Sequence, residues 1–292
     1  MNKRILLLGA GGQLGREWKN YLEKEGHSFK PCSSSVVDVT DRTALRSAFN
    51  SYRPNLVINC AAFTNVDLAE DEQEEAREVN ASAVGSIAKL CQDAGAKLIH
   101  YSTDYVFPGN IEDRETFPLG YPETYSPNPV NTYGLTKLIG EQLLQKKCPD
   151  YMLIRVSWLC GAHGNNFVKT MIRLSKEKDE LRVVNDQFGA PTFASNLVAN
   201  TMALIEANYT GVIHVSSEGL TNWYELAASI FQSEGISTRL KAITTAEYPT
   251  NAARPLYSRL DITRLKSIPG AQIIPWQQGL QELLQEIREL EK

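Results

Sequence analysis

The chain contains little cysteine or histidine, and neither residue occurs in a spacing that binds metal. The five cysteines are scattered without a CxxC pair, and the four histidines form no HExxH motif. An odd number of dispersed cysteines in apolar surroundings is typical of reduced thiols in a protein core. The sequence therefore predicts no zinc site, and we expect buried, reduced thiols at Cys32, Cys60, Cys91, Cys148 and Cys160.

An excess of one charge and long hydrophobic runs are also missing. The formal net charge of the 292 residues is −4, with acids and bases well mixed, so the chain has no basic field for nucleic acid. Its apolar runs are far shorter than a membrane span, and the first residues enter a strand pattern without a signal-type segment. We therefore expect a cytoplasmic, enzyme-like protein that binds neither nucleic acid nor membrane.

What the chain does have is a glycine-rich turn between an apolar strand and a helix. Residues 5–8 are all aliphatic, and Gly9, Gly12 and Gly15 follow in GxxGxxG spacing before apolar residues recur at helical intervals. Such glycines allow a sharp turn, a close approach to a pyrophosphate and tight packing of helix on strand. Free N–H groups at the helix start would then face the negative charge. The pattern predicts a dinucleotide-binding turn, although a tight turn without a ligand has the same glycines.

Strand and helix patterns alternate from residue 1 to about 157, including a long helical stretch from Asp71 to Ala94. Alternation of this kind predicts a parallel sheet covered by helices on both faces. We therefore expect an α/β protein with a Rossmann-type, doubly wound parallel sheet and a smaller mixed α/β C-terminal substrate lobe. The predicted dinucleotide-binding domain is 1–157, also receiving 166–189 and 210–216, and the substrate-binding lobe is 217–292, with 158–165 and 190–209 at the boundary. Residues 108–131 carry five prolines and are predicted to be an irregular, functional loop.

The chemistry-bearing residues lie in two later segments. Tyr133 and Lys137 are four residues apart in YGLTK, hence on one face of a helix. A nearby ammonium favours the phenolate, so we expect Lys137 to lower the pKa of Tyr133 from its usual value of about 10. Thr103 and Asp104 follow a strand whose carboxyl end would line the ligand crevice, which would let Thr103 share a substrate oxygen with Tyr133. Each residue also has an ordinary explanation: a solvated helix face for the YxxxK pair, and a cap or turn for Thr103 and Asp104.

Together these motifs resemble those of the extended short-chain dehydrogenase/reductases over nearly the whole chain. The matching segments are GxxGxxG, NCAA at 59–62, STDYVF at 102–107 and YGLTK at 133–137. Within that superfamily, the most similar motifs are those of the dTDP-4-dehydrorhamnose reductase family. The segments that carry this closer resemblance are GQLG at 12–15, STDYVF, RVSW at 155–158, DQFGAPT at 186–192, and Arg254-Pro255 with Ser258 and Asp261.

The resemblance implies reduction of dTDP-4-dehydro-L-rhamnose to dTDP-L-rhamnose with a hydride from NAD(P)H. In the family mechanism, Tyr133 gives the proton, Lys137 holds the nicotinamide ribose and keeps the pKa of Tyr133 low, and Thr103 hydrogen-bonds to the C4 oxygen. Asp104 and Trp158 match positions that contact the sugar nucleotide, although Trp158 fits core packing equally well. The positions matching cofactor contacts are Gly9, Gly12, Gln13, Leu14, Asp38, Val39, Ala62, Phe63, Thr64 and Tyr101, in addition to Tyr133 and Lys137.

The second predicted strand ends without an acid that would bind a ribose hydroxyl. Lys30 and the serines at 33–35 offer a cation and hydroxyls that suit a 2′-phosphate. The sequence therefore favours NADPH as the cofactor, with NADH as the alternative.

Some members of the family dimerise around magnesium, using acids in the N-terminal helix and after the GAPT segment. Glu17 matches the first position, but Ser195 stands where the second acid would be. We therefore predict no metal, and a monomer or weak homodimer.

Two other functions fit the same scaffold. A related branch of the fold binds a partner enzyme as a non-catalytic, nucleotide-binding regulatory subunit, and a stoichiometric enzyme partner without turnover of any ketosugar would favour it. A sugar-nucleotide epimerase or 4,6-dehydratase is the other alternative. Dehydratases place an acid and then usually a glutamate after the catalytic threonine, whereas here Tyr105 follows Thr103-Asp104, which disfavours dehydration.

Overall fold

A computed structural model of the chain describes residues 3–290. The strands are β1 (Ile5–Leu8), β2 (Phe29–Cys32), β3 (Leu56–Asn59), β4 (Lys97–Thr103), β5 (Tyr151–Val156), β6 (Leu159–Cys160), β7 (Glu180–Val184), β8 (Phe188–Gly189), β9 (Thr192–Phe193), β10 (Gly211–His214), β11 (Thr221–Asn222) and β12 (Arg239–Ile243). The helices are α1 (Gln13–Lys24), α2 (Arg42–Tyr52), α3 (Leu68–Asp71), α4 (Gln73–Arg77), α5 (Ala83–Ala94), α6 (Asp113–Thr116), α7 (Thr132–Lys147), α8 (Phe167–Ser175), α9 (Ala194–Glu206), α10 (Trp223–Glu234), α11 (Thr263–Lys266) and α12 (Trp276–Leu290). None of the helices within 3–290 is both long and apolar enough to cross a membrane.

The centre of the described chain is a parallel sheet with the strand order β10-β5-β4-β3-β1-β2. β1 and β3 are buried along their whole length, because helices cover both faces. β2 lies on one side of β1, and β3 lies on the other side, so the strand order reverses between β1 and β3. In open α/β sheets, ligands bind beyond the carboxyl ends of the strands where the order reverses. This sheet confirms the predicted α/β, Rossmann-type fold class.

Two apolar layers hold the helices on the sheet. On one face, Trp18 of α1 and Leu197 of α9 pack with side chains of β1 and β5. On the other face, Leu45 of α2, Ile87 of α5 and Leu144 of α7 form a second cluster. The second layer packs α7, the helix that carries the YGLTK motif, against the sheet through Leu144.

A third apolar cluster organises the smaller lobe. Met171 of α8, Leu226 of α10 and Leu284 of α12 are among its members. β7 and β12 form a parallel pair beside these helices. Within the lobe, α10 packs against both α8 and β7.

The expectation that 166–189 returns to the central sheet is wrong, because β7 pairs with β12 instead. The burial of β7 alternates, with Leu181 and Val183 buried and Glu180 and Arg182 exposed. Such a strand suits a small sheet with one face in water, whereas a strand of the central sheet must be apolar on both faces. By contrast, β10 does lie in the central sheet, beside β5.

Residues 108–131 form an irregular segment apart from the short helix α6. The segment is anchored at Tyr121, whose backbone exchanges hydrogen bonds with Arg259 (2.9 Å) and Asp261 (3.0 Å). The Tyr121 ring stacks on Phe107 at a centroid distance of 4.7 Å. This loop therefore joins the end of β4 to the 255–261 segment.

Candidate active site

A cavity of about 430 Å³ opens at the carboxyl ends of β1, β3, β4 and β5. It contains most of the side chains that the sequence singled out. The predicted residues that line it are Gly12, Gln13, Leu14, Ala62, Thr64, Tyr101, Thr103, Asp104, Tyr133, Lys137 and Trp158. The cavity therefore brings the glycine turn, the β4 end and the first turns of α7 to one place.

The glycine turn has the geometry of an anion cradle. Gly9 adopts φ +73°, and a Cβ there would lie 2.5 Å from the backbone nitrogen of Ala61. A Cβ on Gly15 would collide with the carbonyl oxygen of Gly9, so the start of α1 packs directly on the turn. No side chain caps α1 at Gly12, and its first turn carries no acid. The exposed N–H groups and the helix dipole therefore fit a pyrophosphate.

Four predicted cofactor residues lie away from the cavity lining: Gly9 beneath the turn, and Asp38, Val39 and Phe63. The Asp38 carboxylate accepts hydrogen bonds from the backbone nitrogen (2.9 Å) and hydroxyl (2.8 Å) of Thr40, which lower its pKa. Val39 is buried in the α2 side of the core. Asp38 and Val39 would meet only a ligand that extends beyond this cavity along the end of β2.

The two groups expected at a 2′-phosphate are separated in the structure. Lys30 pairs with Leu6, two residues before the ends of β2 and β1, and its ammonium lies 3.5 Å from the Ser51 hydroxyl. Ser33 and Ser35 follow the end of β2, with their hydroxyls 2.9 Å apart. The serines, and not Lys30, are therefore next to the glycine turn.

Lys137 is 2% exposed and is held by the main chain of β4. Its Nζ donates to the carbonyl oxygen of Tyr101 (2.7 Å) and lies 3.5 Å from Nε2 of His100. Burial lowers the pKa of Lys137 to about 8, while Glu141 acts in the opposite direction. The phenol of Tyr101 points away from this contact, towards Trp18 Nε1 at 2.8 Å.

Tyr133 of α7 and Thr103 at the end of β4 line the same cavity, and interaction with the Thr103 hydroxyl favours the lower pKa of the phenol. Thr103 Oγ1 also donates to Oδ1 of Asp104 (3.0 Å) and accepts from the backbone nitrogen of Tyr105 (3.1 Å). Asp104 is 2% exposed, and its Oδ2 has no hydrogen-bond partner among the described residues. Burial raises the pKa of Asp104 to about 7.

The expectation that Lys137 lowers the pKa of Tyr133 is not met. Burial and, to a smaller extent, the Asp104 carboxylate raise the pKa of Tyr133 to about 12, and only the interaction with the Thr103 hydroxyl opposes them. The physical reason is that desolvation penalises the phenolate, while the ammonium of Lys137 is directed at a backbone carbonyl. The phenol is therefore protonated at neutral pH.

On the side of the smaller lobe, Trp158 stacks on Trp223 with centroids 3.8 Å apart and planes 14° from parallel. Trp158 has φ +48°, and its Nε1 donates to Ser258 Oγ at 3.2 Å. A Cβ on Gly189 would lie 2.8 Å from both the Trp158 ring and Ser258 Oγ. Trp223 was not found from the sequence, because nothing near it in the chain indicates that it meets Trp158.

Asn80 is a second residue that sequence reasoning missed. It is fully buried in a π-helical turn, Glu78–Ser82, which interrupts the predicted helix of 71–94. Its side chain accepts from the Phe63 nitrogen (2.9 Å) and donates to the Phe63 oxygen (3.0 Å) and to Thr136 Oγ1 (3.2 Å). It therefore joins the loop after β3 to α7. The signal in the sequence was an asparagine within the predicted amphipathic helix of 71–94, where an apolar residue would be expected.

Within residues 3–290, one group of side chains is close enough together to coordinate a metal ion. Ligand atoms of Glu17, His163 and Glu286 all lie within 4.8 Å of one another. Burial and the nearby Glu286 raise the pKa of Glu17 to about 7. The absence of a metal requirement stays a prediction.

Comparison with known proteins gives consistent relatives over the full chain. A family model described as the RmlD substrate binding domain matches residues 3–289. The dTDP-4-dehydrorhamnose reductase of Escherichia coli K12 is 40% identical, over 97% of each chain. The spore coat polysaccharide biosynthesis protein SpsK of Bacillus subtilis is 38% identical, also over 97% of each chain.

The similar solved structures include a dTDP-4-dehydrorhamnose reductase as well. The crystal structure of dTDP-4-dehydrorhamnose reductase from Bacillus anthracis in complex with NADP has a TM-score of 0.92 and 38% identity, covering 98% of this chain and 100% of that chain. A UDP-glucose 4-epimerase from Thermus thermophilus in complex with NAD has a TM-score of 0.79 at 18% identity, covering 98% and 99% of the two chains. The second likeness shows the shared fold alone.

Proposed function

The chain belongs to the RmlD substrate-binding-domain family, whose full-length relatives include dTDP-4-dehydrorhamnose reductases, and on that premise we propose that it reduces dTDP-4-dehydro-L-rhamnose to dTDP-L-rhamnose with NADPH. The observation that carries the proposal is that Thr103 and Tyr133 line one cavity together with Lys137 and the glycine turn. These groups offer a proton and a hydrogen-bond donor at one point beside a pyrophosphate cradle.

The residues present fit the cofactor. The turn at Gly9, Gly12 and Gly15 and the uncapped start of α1 would hold the pyrophosphate, with Gln13 and Leu14 beside it. The loop at 62–64 would lie along the dinucleotide, and Ser33 and Ser35 would donate to a 2′-phosphate. When bound, NADPH supplies the hydride that is added to C4 of the sugar.

Tyr133 acts as the general acid. Its raised pKa keeps the phenol protonated before the reaction, so it can give a proton to the C4 oxygen as negative charge develops there. The Thr103 hydroxyl, whose one proton is directed at Asp104 Oδ1 in this structure, would turn to donate it to the same oxygen, which stabilises the transition state more than the ground state. Lys137, held by the Tyr101 carbonyl oxygen, would bind the ribose hydroxyls of the nicotinamide from that side.

The sugar nucleotide lies between the catalytic groups and the smaller lobe. The Trp158–Trp223 stack forms an apolar wall of the cavity, which suits one face of a deoxysugar. The unpartnered Oδ2 of Asp104 accepts a hydrogen bond from a sugar hydroxyl, which would compensate its burial. Cytoplasmic location, the lack of nucleic-acid or membrane binding, and a monomeric or weakly dimeric state stay predictions of the sequence.

The test uses the purified chain with NADPH and dTDP-4-dehydro-L-rhamnose. We expect loss of the reduced-nicotinamide absorbance at the rate at which dTDP-L-rhamnose appears, with the product identified by NMR. A chain that binds NADPH but turns over no ketosugar, and that captures an enzyme in stoichiometric amount, would replace the proposal with the regulatory alternative. A product epimerised without net oxidation of NADPH would favour the epimerase.

A further inference from the structure

The short acidic helix α3 begins a few residues after the loop at 62–64 and contacts the start of the catalytic helix. Glu70, on α3, accepts two hydrogen bonds from Thr132: one from the backbone nitrogen to Oε1 (2.8 Å) and one from the hydroxyl to Oε2 (2.7 Å). Thr132 is the first residue of α7 and immediately precedes Tyr133. Each carboxylate oxygen therefore holds one donor of the residue next to the general acid.

This contact has the chemistry of a cap supplied from another part of the chain. The first N–H groups of a helix have no partner inside the helix, and an anion at that end also interacts favourably with the helix dipole. Asn131 already caps α7 by accepting from the Gly134 nitrogen at 2.8 Å. Glu70 satisfies the further donors at Thr132, and bonds to a charged acceptor are stronger and more directional than neutral ones.

The same helix α3 is tied to the smaller-lobe side of the site. The carboxylate of Asp67, which precedes α3, accepts from the backbone nitrogen of Ala252 (3.0 Å) and from Arg254 Nη2 (2.6 Å). Asn131 Nδ2 in turn donates to the carbonyl oxygen of Ala253 at 2.8 Å. The segment 252–254 thus lies against both α3 and the cap of α7, so the first turn of α7 is held from two directions.

From these contacts we propose that Glu70 is a positioning residue for the reaction: through Thr132 it fixes the first turn of α7 and sets the place of the Tyr133 phenol relative to the loop at 62–64. The inference rests on the proposed role of Tyr133 as general acid. A displacement of a reacting group by about 1 Å can cost about 100-fold in rate. Both ends of the Glu70 link bear on the site, because α3 follows the cofactor-side loop and Thr132 precedes the acid. Loss of the link therefore impairs proton delivery more than binding.

The experiment compares Glu70→Gln, Glu70→Ala and Thr132→Val with wild type, with Thr132→Ser as the conservative rescue. Gln retains one acceptor oxygen, and Val removes only the hydroxyl bond. We expect kcat to fall about 10-fold in Glu70→Gln and about 100-fold in Glu70→Ala, with the Kd of NADPH within about threefold of wild type. The kcat of Thr132→Val should fall about fivefold, and Thr132→Ser should retain the wild-type kcat. The matched control is Glu74→Gln, an exposed acid on α4 outside this link.

Two further readouts separate positioning from simple support of the fold. The solvent deuterium isotope effect on kcat should rise in Glu70→Gln, because proton transfer becomes slower relative to the other steps. The effects of Glu70→Gln and Thr132→Val should also be strongly non-additive in the double variant, since both remove the same link.

Wild-type kcat per folded molecule in Glu70→Ala and in Thr132→Val would overturn the proposal. A fall in thermal stability with unchanged kcat would do the same. If Glu70→Ala does not fold, the comparison of Thr132→Val with Thr132→Ser decides. Tyr133→Phe distinguishes failure of the proposed general-acid role from failure of the positioning role. Full activity of Tyr133→Phe would refute the role of Tyr133 as general acid. An inactive Tyr133→Phe together with a fully active Glu70→Gln would refute only the positioning role of Glu70.

Discussion

Replacing Thr103 by valine removes one hydroxyl from the centre of the site and keeps the shape of the side chain. In the structure that hydroxyl donates to Asp104 Oδ1 at 3.0 Å and accepts from the Tyr105 nitrogen at 3.1 Å, and it lines the same cavity as the phenol of Tyr133. The substitution therefore removes the proposed donor to the C4 oxygen. It also takes a hydrogen bond from a buried carboxylate that already has one unpartnered oxygen.

The expected size of the effect follows from these contacts. Loss of a single donor to a developing oxyanion costs about 3–4 kcal/mol, or roughly 100- to 1,000-fold in kcat. The buried groups left unsatisfied should lower the free energy of unfolding by about 1–3 kcal/mol. Without the Thr103 donor, the pKa of Asp104 should rise further. NADPH affinity should change little, because the glycine turn and Lys137 are untouched.

The assay is a single-turnover measurement with the enzyme saturated with NADPH before dTDP-4-dehydro-L-rhamnose is added. Thr103→Ser, which keeps the hydroxyl, should retain a rate within about tenfold of wild type. If folded Thr103→Val reduces the ketosugar at a rate within about threefold of wild type, the oxyanion role of Thr103 is refuted.

Three further predictions concern other parts of the site. Lys137→Met should weaken NADPH binding at least about tenfold and lower kcat as well, and an unchanged Kd by titration would contradict the ribose contact. Gly189→Ala should displace the Trp158 ring and raise the KM for the sugar nucleotide about tenfold, with NADPH binding intact; steady-state kinetics with an unaltered KM would contradict it. Because burial raises the pKa of Asp104 to about 7 in the folded protein, the native state binds the extra proton between about pH 4 and 7, and the free energy of unfolding should fall as pH rises through that window. Asp104→Asn should make that slope shallower, with Glu17 still contributing because its pKa is also about 7, and should stabilise the protein above pH 7 by no more than about 4 kcal/mol, as measured by urea unfolding at pH 5 and pH 8.

Local sequence was enough to predict the elements that carry the chemistry. The strand, turn and helix around Gly9–Gly15 are defined by residues within a short stretch, and the four-residue spacing of Tyr133 and Lys137 needs only helical geometry. The alternation of strands and helices predicted the parallel sheet. These features depend on backbone preferences that the local sequence encodes.

The remaining features depend on residues that are distant in the chain. The Trp158–Trp223 stack joins residues far apart in the sequence, and the Glu70–Thr132 contact spans 62 positions. The pKa expectation for Tyr133 failed for a similar reason. It considered one nearby charge, whereas burial by the surrounding fold has the larger effect. The strand β7 was misplaced because its partner, β12, lies more than 50 residues later.

In the proposed reaction, the Tyr133 phenol delivers the proton next to a bound nicotinamide. Tyr133→Phe tests it most directly, in single-turnover mixing of the NADPH-loaded variant with dTDP-4-dehydro-L-rhamnose. We expect a rate of sugar reduction about 100- to 10,000-fold below wild type, with the Kd of NADPH unchanged within about threefold. Reduction at the wild-type rate by the folded, NADPH-saturated variant would contradict it.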